Sequence, residues 1–358
     1  MSELFKDRLN SEESIFLNSQ LLDFDFQPKL ILYRENQQQQ IAFCIKPVLQ
    51  RRNGTNMIII GSPGIGKTVC LRNVLEELKS DYGNEVYCIY INCWKSNTPF
   101  KIASSICQQL NYKWIHNKSF DELMAEASAV INEKSAVFVL DEVDKLEDQS
   151  TIYTLLEDVF RKCLILITNN SEFMINLDSR VRSRLLPEVL EFKPYNKNET
   201  EGILKERLKY AFVPNCLEKG AFDLIVEKTF EMQDIRVGLF LIKDAGEIAE
   251  AESKKKILFE NAKQAILKLD GFKKKDISDF EDSEKIILEI IKGNSGKTSK
   301  EIFELYGLKE NKSYRTFQRK IKNLEKNGMI CLKEVNKGFE TGRITIIEYN
   351  TNKTLDEF

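Results

Sequence analysis

The feature that most constrains this chain is Gly61-Ser62-Pro63-Gly64-Ile65-Gly66-Lys67-Thr68, which matches G-x-x-x-x-G-K-[ST]. It follows the apolar run Met57–Ile60 and opens an amphipathic stretch, the strand–loop–helix setting in which this pattern cradles phosphates. The glycines let backbone N–H groups turn toward an anion, and the helix N-terminus adds a partial positive charge. In that setting Lys67 reaches the β- and γ-phosphates of ATP, or the β-phosphate of ADP. Thr68 supplies a hydroxyl for Mg²⁺, and Gly61 through Val69 form the nucleotide-binding loop. A second run, Val137-Phe138-Val139-Leu140, ends in Asp141-Glu142. Alone, two acids closing an apolar run are as readily a plain strand end. Some seventy residues after the loop, they read as a metal-ligating Asp141 and a water-orienting Glu142.

Around these motifs the chain alternates. Short β-branched runs at Met57–Ile60, Val86–Ile91, Ala136–Leu140, Cys163–Thr168 and Val189–Phe192 are separated by helical patterns at Thr68–Leu78, Phe100–Leu110, Phe120–Ile131 and Ile152–Phe160. This predicts an α/β fold with a parallel sheet covered on both faces. After Pro194 only helical spacing remains, from about Asn198 to Glu252 and again over Ile257–Leu269, with Asn198 and Glu201 placed to form a capping box. The stretch Asp270–Asp276 reads as a linker. The expected division is therefore 1–193, 194–270 and 271–350.

The strand Cys163–Thr168 ends in Asn169-Asn170, which reads either as a turn or as a polar sensor of the γ-phosphate. Arg180, Arg182 and Arg184 read either as a solvated charge run or as including a finger offered to a neighbour's ATP. Eight cysteines are scattered without a C-x-x-C pair, and His116 is the one histidine. Buried thiols are expected rather than zinc or disulfides. No apolar run reaches the ~18–20 residues of a membrane span, and the opening MSELFKDRLNSEES has no signal-peptide character, so a cytoplasmic, nucleoid-associated protein is expected.

The C-terminal part is read separately. Net charge is −2, yet Lys309–Arg343 holds ten Lys/Arg against four Asp/Glu. Helical patterns at Ser283–Ile291, Ser299–Leu305 and from Ser313 to about Asn327 precede two β runs, Ile330–Val335 and Arg343–Tyr349. This order predicts a helix-turn-helix with a hairpin wing. In the third helix Phe317, Ile321 and Leu324 share one face, while Arg315, Gln318, Arg319 and Lys322 share the other. Arg and Gln there suit base edges of duplex DNA. Lys312, Ser313, Lys320, Lys322, Lys337 and Arg343 suit its backbone. Phe339 reads either as a wedge into a groove or as packing on its own hairpin.

Taken in order, these segments resemble the archaeal origin-recognition and cell-division-control type of replication initiator, a branch of the AAA+ ATPases. The segment IFLNSQLLDFDFQPKLILYREN is similar to that family's N-terminal stretch, whose closing R-E pair, here Arg34-Glu35, lies beside the nucleotide base. INCWKSNTPFKIASSICQQL resembles its segment after the second strand, ITNN its sensor-1 strand with Asn169 as sensor, and LDSRVRSRL its arginine-finger region with Arg184. EFKPYNKNETEGIL resembles the opening of its lid, with Tyr195 at the nucleotide. QDIRVGL resembles its sensor-2 helix, with Arg236 as sensor. The chain departs from the pattern at Gln233, where the family usually has glycine, and at Val237, where a second arginine is common.

The resemblance implies a five-stranded AAA+ sheet, an α-helical lid and a C-terminal winged helix. It implies slow ATP hydrolysis with nucleotide acting as a switch. It also implies binding to origin duplex through the winged helix and residues 92–118, with the replicative helicase and paralogous initiator subunits as further partners. Two other readings stand beside it: an ATP-responsive transcription or plasmid regulator, and a clamp-loader-like ATPase whose winged helix contacts protein.

Overall fold

Five short parallel strands form the first sheet of the computed structural model, which describes residues 14–273, 281–307, 313–326, 329–336 and 343–349. They are β1 (Met57–Ile60), β2 (Val86–Asn92), β3 (Ser135–Asp141), β4 (Lys162–Thr168) and β5 (Glu188–Glu191), in the order β2-β3-β4-β1-β5. Each agrees with its sequence-based expectation to within a residue or two. The register sets Ile60 beside both Thr168 and Glu191, and Asn92 beside Asp141, so the strand ends that carry polar groups come out level.

Alternate residues of each strand feed opposite faces, as pleating requires. Met57, Ile59, Val137, Val139, Ile165 and Ile167 pack under α1 (Glu35–Leu49) and α2 (Lys67–Tyr82). Ile58, Ile89, Ile91, Phe138, Leu140, Leu164 and Leu166 pack under α3 (Pro99–Gln109), α4 (Phe120–Ile131), α5 (Ser150–Asp158) and α6 (Ser179–Leu185). Burial on both faces explains why β1, β3 and β4 are apolar over most of their length, while the edge strand β5 buries only Leu190. Six of the cysteines are buried, Cys88 is half-buried, and Cys331 and His116 are exposed.

Four helices follow the sheet: α7 (Lys197–Ala211), α8 (Lys219–Met232), α9 (Ile235–Ala251) and α10 (Phe259–Lys273). The capping box of α7 lies two residues before the expected pair. Asn196 accepts from Glu199 N, and Glu199 returns the bond to Asn196 N. Both N-x-x-E spacings exist in the sequence. Residues 192–195 belong to no helix or strand, and Asn196, at φ −73° and ψ 171°, is the residue that holds the cap geometry. Asp270–Lys273, expected in the linker, continue α10. The N-terminal segment crosses this helical layer: Phe16 bridges Phe212, and Ile15 N donates to Glu250.

The chain divides into two compact units, Met1–Ile266 and Leu267–Phe358. The second contains α11 (Asp282–Gly293), β6 (Lys297–Thr298), α12 (Ser299–Gly307), α13 (Tyr314–Lys326), β7 (Ile330–Asn336) and β8 (Arg343–Tyr349). Its sheet order is β6-β8-β7, antiparallel, and two-residue β6 is, among the described residues, the strand that the sequence did not predict. Its core joins Ile287 and Ile291 of α11, Ile302 and Tyr306 of α12, Phe317, Ile321 and Leu324 of α13, and Ile330 and Ile347 of the hairpin. Among the described residues no helix is long and apolar enough to cross a membrane.

Candidate functional site

The Gly61–Thr68 loop joins β1 to α2, as its motif requires. Gly64 and Gly66 adopt φ of +76° and +90°. At Gly66 a Cβ would lie 2.8 Å from the Tyr195 hydroxyl, and at Gly64 it would meet the Asp234 carboxylate at 1.9 Å. Both positions therefore need glycine for backbone angle and for space. Helix α2 begins at Lys67 with Gly66 as N-cap, so no side chain competes for its first N–H groups. That is a helix N-terminus suited to an anion.

A cleft of about 830 Å³ opens over this loop. Pro63, Gly64, Gly66, Lys67, Thr68, Val69, Asp141, Glu142, Asn169, Tyr195 and Arg236, all expected site residues, line it. Buried Lys67 donates through Nζ to Gly61 O, Ser62 O and Asn169 Oδ1, each at 2.8 Å. Burial, reinforced by Arg236, pushes its ammonium down to about 8 against the pull of Asp141, Asp144 and Glu142. Thr68 Oγ1 donates to Asp141 Oδ2 at 2.8 Å, and Glu142 N donates to Asp141 Oδ1 at 2.9 Å. A hydroxyl and a buried carboxylate side by side at the phosphate cradle are hard oxygen donors. They fit Mg²⁺, which keeps most of its waters and takes few protein ligands.

Glu142 holds φ +56°, a left-handed conformation unusual for a side-chain-bearing residue. Burial, then Asp141 and Asp144, raises its carboxyl above the ordinary range. Asp144, which the sequence reading did not single out, accepts from Thr168 Oγ1 at 2.9 Å and so ties the β3 end to the β4 end, next to Asn169.

Arg236 reaches the cleft from the first turn of α9, and Asp234 holds it there. The Asp234 carboxylate caps α9 through Arg236 N at 2.9 Å and takes Arg236 Nη2 at 2.7 Å. Arg34 acts as a brace. It is 4% exposed, and its guanidinium sits 3.9 Å from the Tyr195 ring centroid and 5.1 Å from that of Phe192. It donates to Ile65 O and Lys193 O. It thus joins the phosphate loop to the β5–α7 connection. Ile65 is buried beneath the loop. Residues 23–32 form another wall of the cleft, which only the family resemblance, not residue patterning, marked.

Arg184 does not meet this cleft. It pairs with Glu157 at 2.5 Å and lies over Tyr153, while Arg182 donates to the Ile175 and Leu177 carbonyls. In the segment 92–118, Trp94, Phe100 and Trp114 are exposed, Trp114 at 78%.

In the second unit Ser313 Oγ accepts from Thr316 N and opens α13. Phe317, Ile321 and Leu324 are buried, and Arg315, Gln318, Arg319 and Lys322 are exposed, as the spacing predicts. Lys320 is a correction. It is 7% exposed and donates to Glu281 Oε2 at 2.8 Å and to Ser283 Oγ, tying α13 to the start of α11. One residue before buried Ile321, it falls on the inward side of the helix, where the long stem fits a core and only the head needs partners. Lys312, Lys337 and Phe339 lie outside the described residues, as does the side chain of Arg343.

Sheet order, phosphate loop, paired acids and helical cap together define an AAA+ ATPase. A family model for the AAA domain matches residues 50–177, and one for the Cdc6 AAA+ ATPase-type lid domain matches residues 201–266. The ORC1-type DNA replication protein 1 of Archaeoglobus fulgidus is 30% identical over 278 residues, covering 74% of this chain and 68% of that protein. The ORC1-type DNA replication protein 2 of Methanothermobacter thermautotrophicus is 26% identical over 355 residues, covering 93% and 92%. The Aeropyrum pernix ORC1 protein, solved in complex with DNA, superposes with a TM-score of 0.73 at 26% identity over 94% of each chain. The chain belongs to the ORC1-type family of DNA replication proteins.

Proposed function

We propose that this protein recognises replication origins as duplex DNA and uses bound nucleotide as a slowly turning switch. The observation that carries the proposal is the division of α13. Its apolar residues are spent in the core, and Arg315, Gln318, Arg319 and Lys322 are left together at the surface. A helix with that face fits the major groove, where Arg and Gln discriminate base edges. The related Aeropyrum protein is solved with DNA, which supports the same use here. Exposed Trp94, Phe100 and Trp114 give segment 92–118 a second, apolar contact with the duplex.

In the cleft Lys67 holds the terminal phosphates, Asn169 and Arg236 sense the γ-phosphate, and Glu142 orients the attacking water. Mg²⁺, when bound by Thr68 and Asp141, neutralises phosphate charge. Arg184 lies with Glu157, outside the chain's own cleft. Within one chain Lys67 and Arg236 are then the cationic side chains at the transferring phosphoryl group, with no arginine finger from the same chain, and slow turnover is the expected consequence. Nucleotide then acts through its different affinity for two conformations. The sheet part (1–193), lid (194–270) and winged helix (271–350) are the working parts. Origin-bound protein in the cytoplasm, at the nucleoid, would present them to paralogous subunits and the replicative helicase.

Replacing Arg315 and Arg319 together by alanine tests the reading. Specific duplex binding should weaken by roughly 1–3 kcal/mol for each base-reading side chain removed, at a stated salt concentration. Unchanged affinity and site preference would remove α13 as the reader.

A further inference from the structure

Asp141 has a third partner that the phosphate-loop pattern does not supply. Tyr90, on β2, donates its hydroxyl to Asp141 Oδ2 at 2.6 Å, the same oxygen that accepts from Thr68. With Glu142 N on Oδ1, both oxygens of this buried carboxylate are fixed by donors from three different segments.

Tyr90 is itself held from three sides. Strand β2 is an edge of its sheet, and Gln109, the last residue of α3, covers that edge at this one residue: its Oε1 accepts from Tyr90 N at 3.1 Å and its Nε2 donates to Tyr90 O at 3.0 Å. The Arg72 guanidinium lies 4.6 Å from the ring centroid. Packing alone does not require any of this, because a phenylalanine would fill the same half-buried space.

Resting on the reading of Thr68 and Asp141 as the cation site, we propose that Tyr90 is a positioning residue for Mg²⁺, orienting the Asp141 carboxylate, and that Gln109 sets the reach of Tyr90. A carboxylate already fixed in direction loses less freedom when a hydrated cation docks on it, which is the general advantage of a pre-organised site. Tyr90 also lines the cleft, but its hydroxyl bonds Asp141, while Lys67 Nζ is held by Gly61 O, Ser62 O and Asn169, so the main effect of Tyr90 on nucleotide runs through the cation.

The test is the affinity of the full-length protein for a fluorescent ADP, measured in EDTA and across a Mg²⁺ titration, for wild type, Tyr90→Phe, Gln109→Ala and Thr68→Ala. In Tyr90→Phe the Mg²⁺ concentration giving half of the tightening should rise about tenfold, the effect of removing one hydrogen bond to a charged group, while affinity in EDTA stays within about twofold. Gln109→Ala should move in the same direction by less, and it decides the matter alone if Tyr90→Phe does not fold. An unchanged or lowered Mg²⁺ requirement overturns the proposal, a lowered one by showing that the hydroxyl competes with the cation. Equal loss in EDTA overturns it too, since that is the signature of a merely structural residue. The underlying reading fails separately: a wild type whose affinity does not respond to Mg²⁺, or a Thr68→Ala variant that responds normally, would remove the cation site itself.

Discussion

Replacing Lys320 by methionine separates two accounts of the α13 surface. Sequence pattern groups Lys320 with Lys322 as a phosphate contact, whereas the structure buries its head against Glu281 and Ser283. Methionine keeps most of the stem and removes both hydrogen bonds. A bond to a charged partner contributes ~1.5–3 kcal/mol at best, but the Glu281 side chain is 74% exposed, which brings that pair toward the ~0.2–1 kcal/mol of surface ion pairs. The bond to Ser283 adds about 0.5–1 kcal/mol. The sum is about 1–2 kcal/mol. At ~4–8 °C per kcal/mol for a small domain, the winged-helix transition should fall by roughly 4–15 °C. Calorimetry on the full chain reads that shift. Duplex affinity between 50 and 200 mM salt (roughly the range in which phosphate contacts are resolved) reads the other account. Lys320→Met should leave the slope of log K against log salt unchanged, while Lys322→Ala, which removes an exposed phosphate contact, lowers it by ~0.9. A methionine variant with full thermal stability and a slope reduced by ~0.9 would refute the burial argument.

Three further outcomes follow from the cleft. Gly64→Ala should displace Asp234, strain the loop at φ +76° and free Arg236. The left-handed cost and the missing cap make this about 2–3 kcal/mol, seen as weaker ADP binding and faster amide exchange in α9. Because Lys67 binds phosphate when charged and burial pushes it down to about 8, ADP affinity should be full below that pH and fall as pH rises through it; a flat profile from pH ~7.5 to ~9.5 would contradict the assignment. Arg184→Ala should leave the nucleotide affinity of a single chain within about twofold and its stability within ~1 kcal/mol, since its partner Glu157 is a surface group; a tenfold loss of affinity would place Arg184 in its own chain's cleft.

The inner strands were legible because burial on both faces leaves continuous apolar runs such as Val137–Leu140 with sharp polar ends, whereas the edge strand β5 buries only Leu190. The phosphate loop was legible because its glycines answer a geometric demand that few other residues meet at Gly64 and Gly66. Less visible were contacts made across the sheet. Tyr90 meets Asp141 through strand register and Asp144 meets Thr168 from the 3-10 turn after β3, and nothing local in their sequence marks either. The hint available was positional: β2 ends at Asn92 beside Asp141, so the residue two before it faces the same side. Lys320 was misread because a long side chain beside the apolar stripe has two lives, and helical spacing alone does not choose between them. The α7 cap was misplaced by two residues because two N-x-x-E pairs overlap, and only the path out of β5 selects Asn196.

The most direct test of origin recognition is recovery of genomic fragments by the purified full-length protein, at a stated near-physiological salt concentration, with ADP or ATP and Mg²⁺ present. Enrichment of one or a few loci bearing repeated sequence elements, abolished in the Arg315→Ala/Arg319→Ala variant, is the predicted result. Enrichment of many unrelated promoters, or of no duplex at all, would contradict origin recognition as the function of this chain.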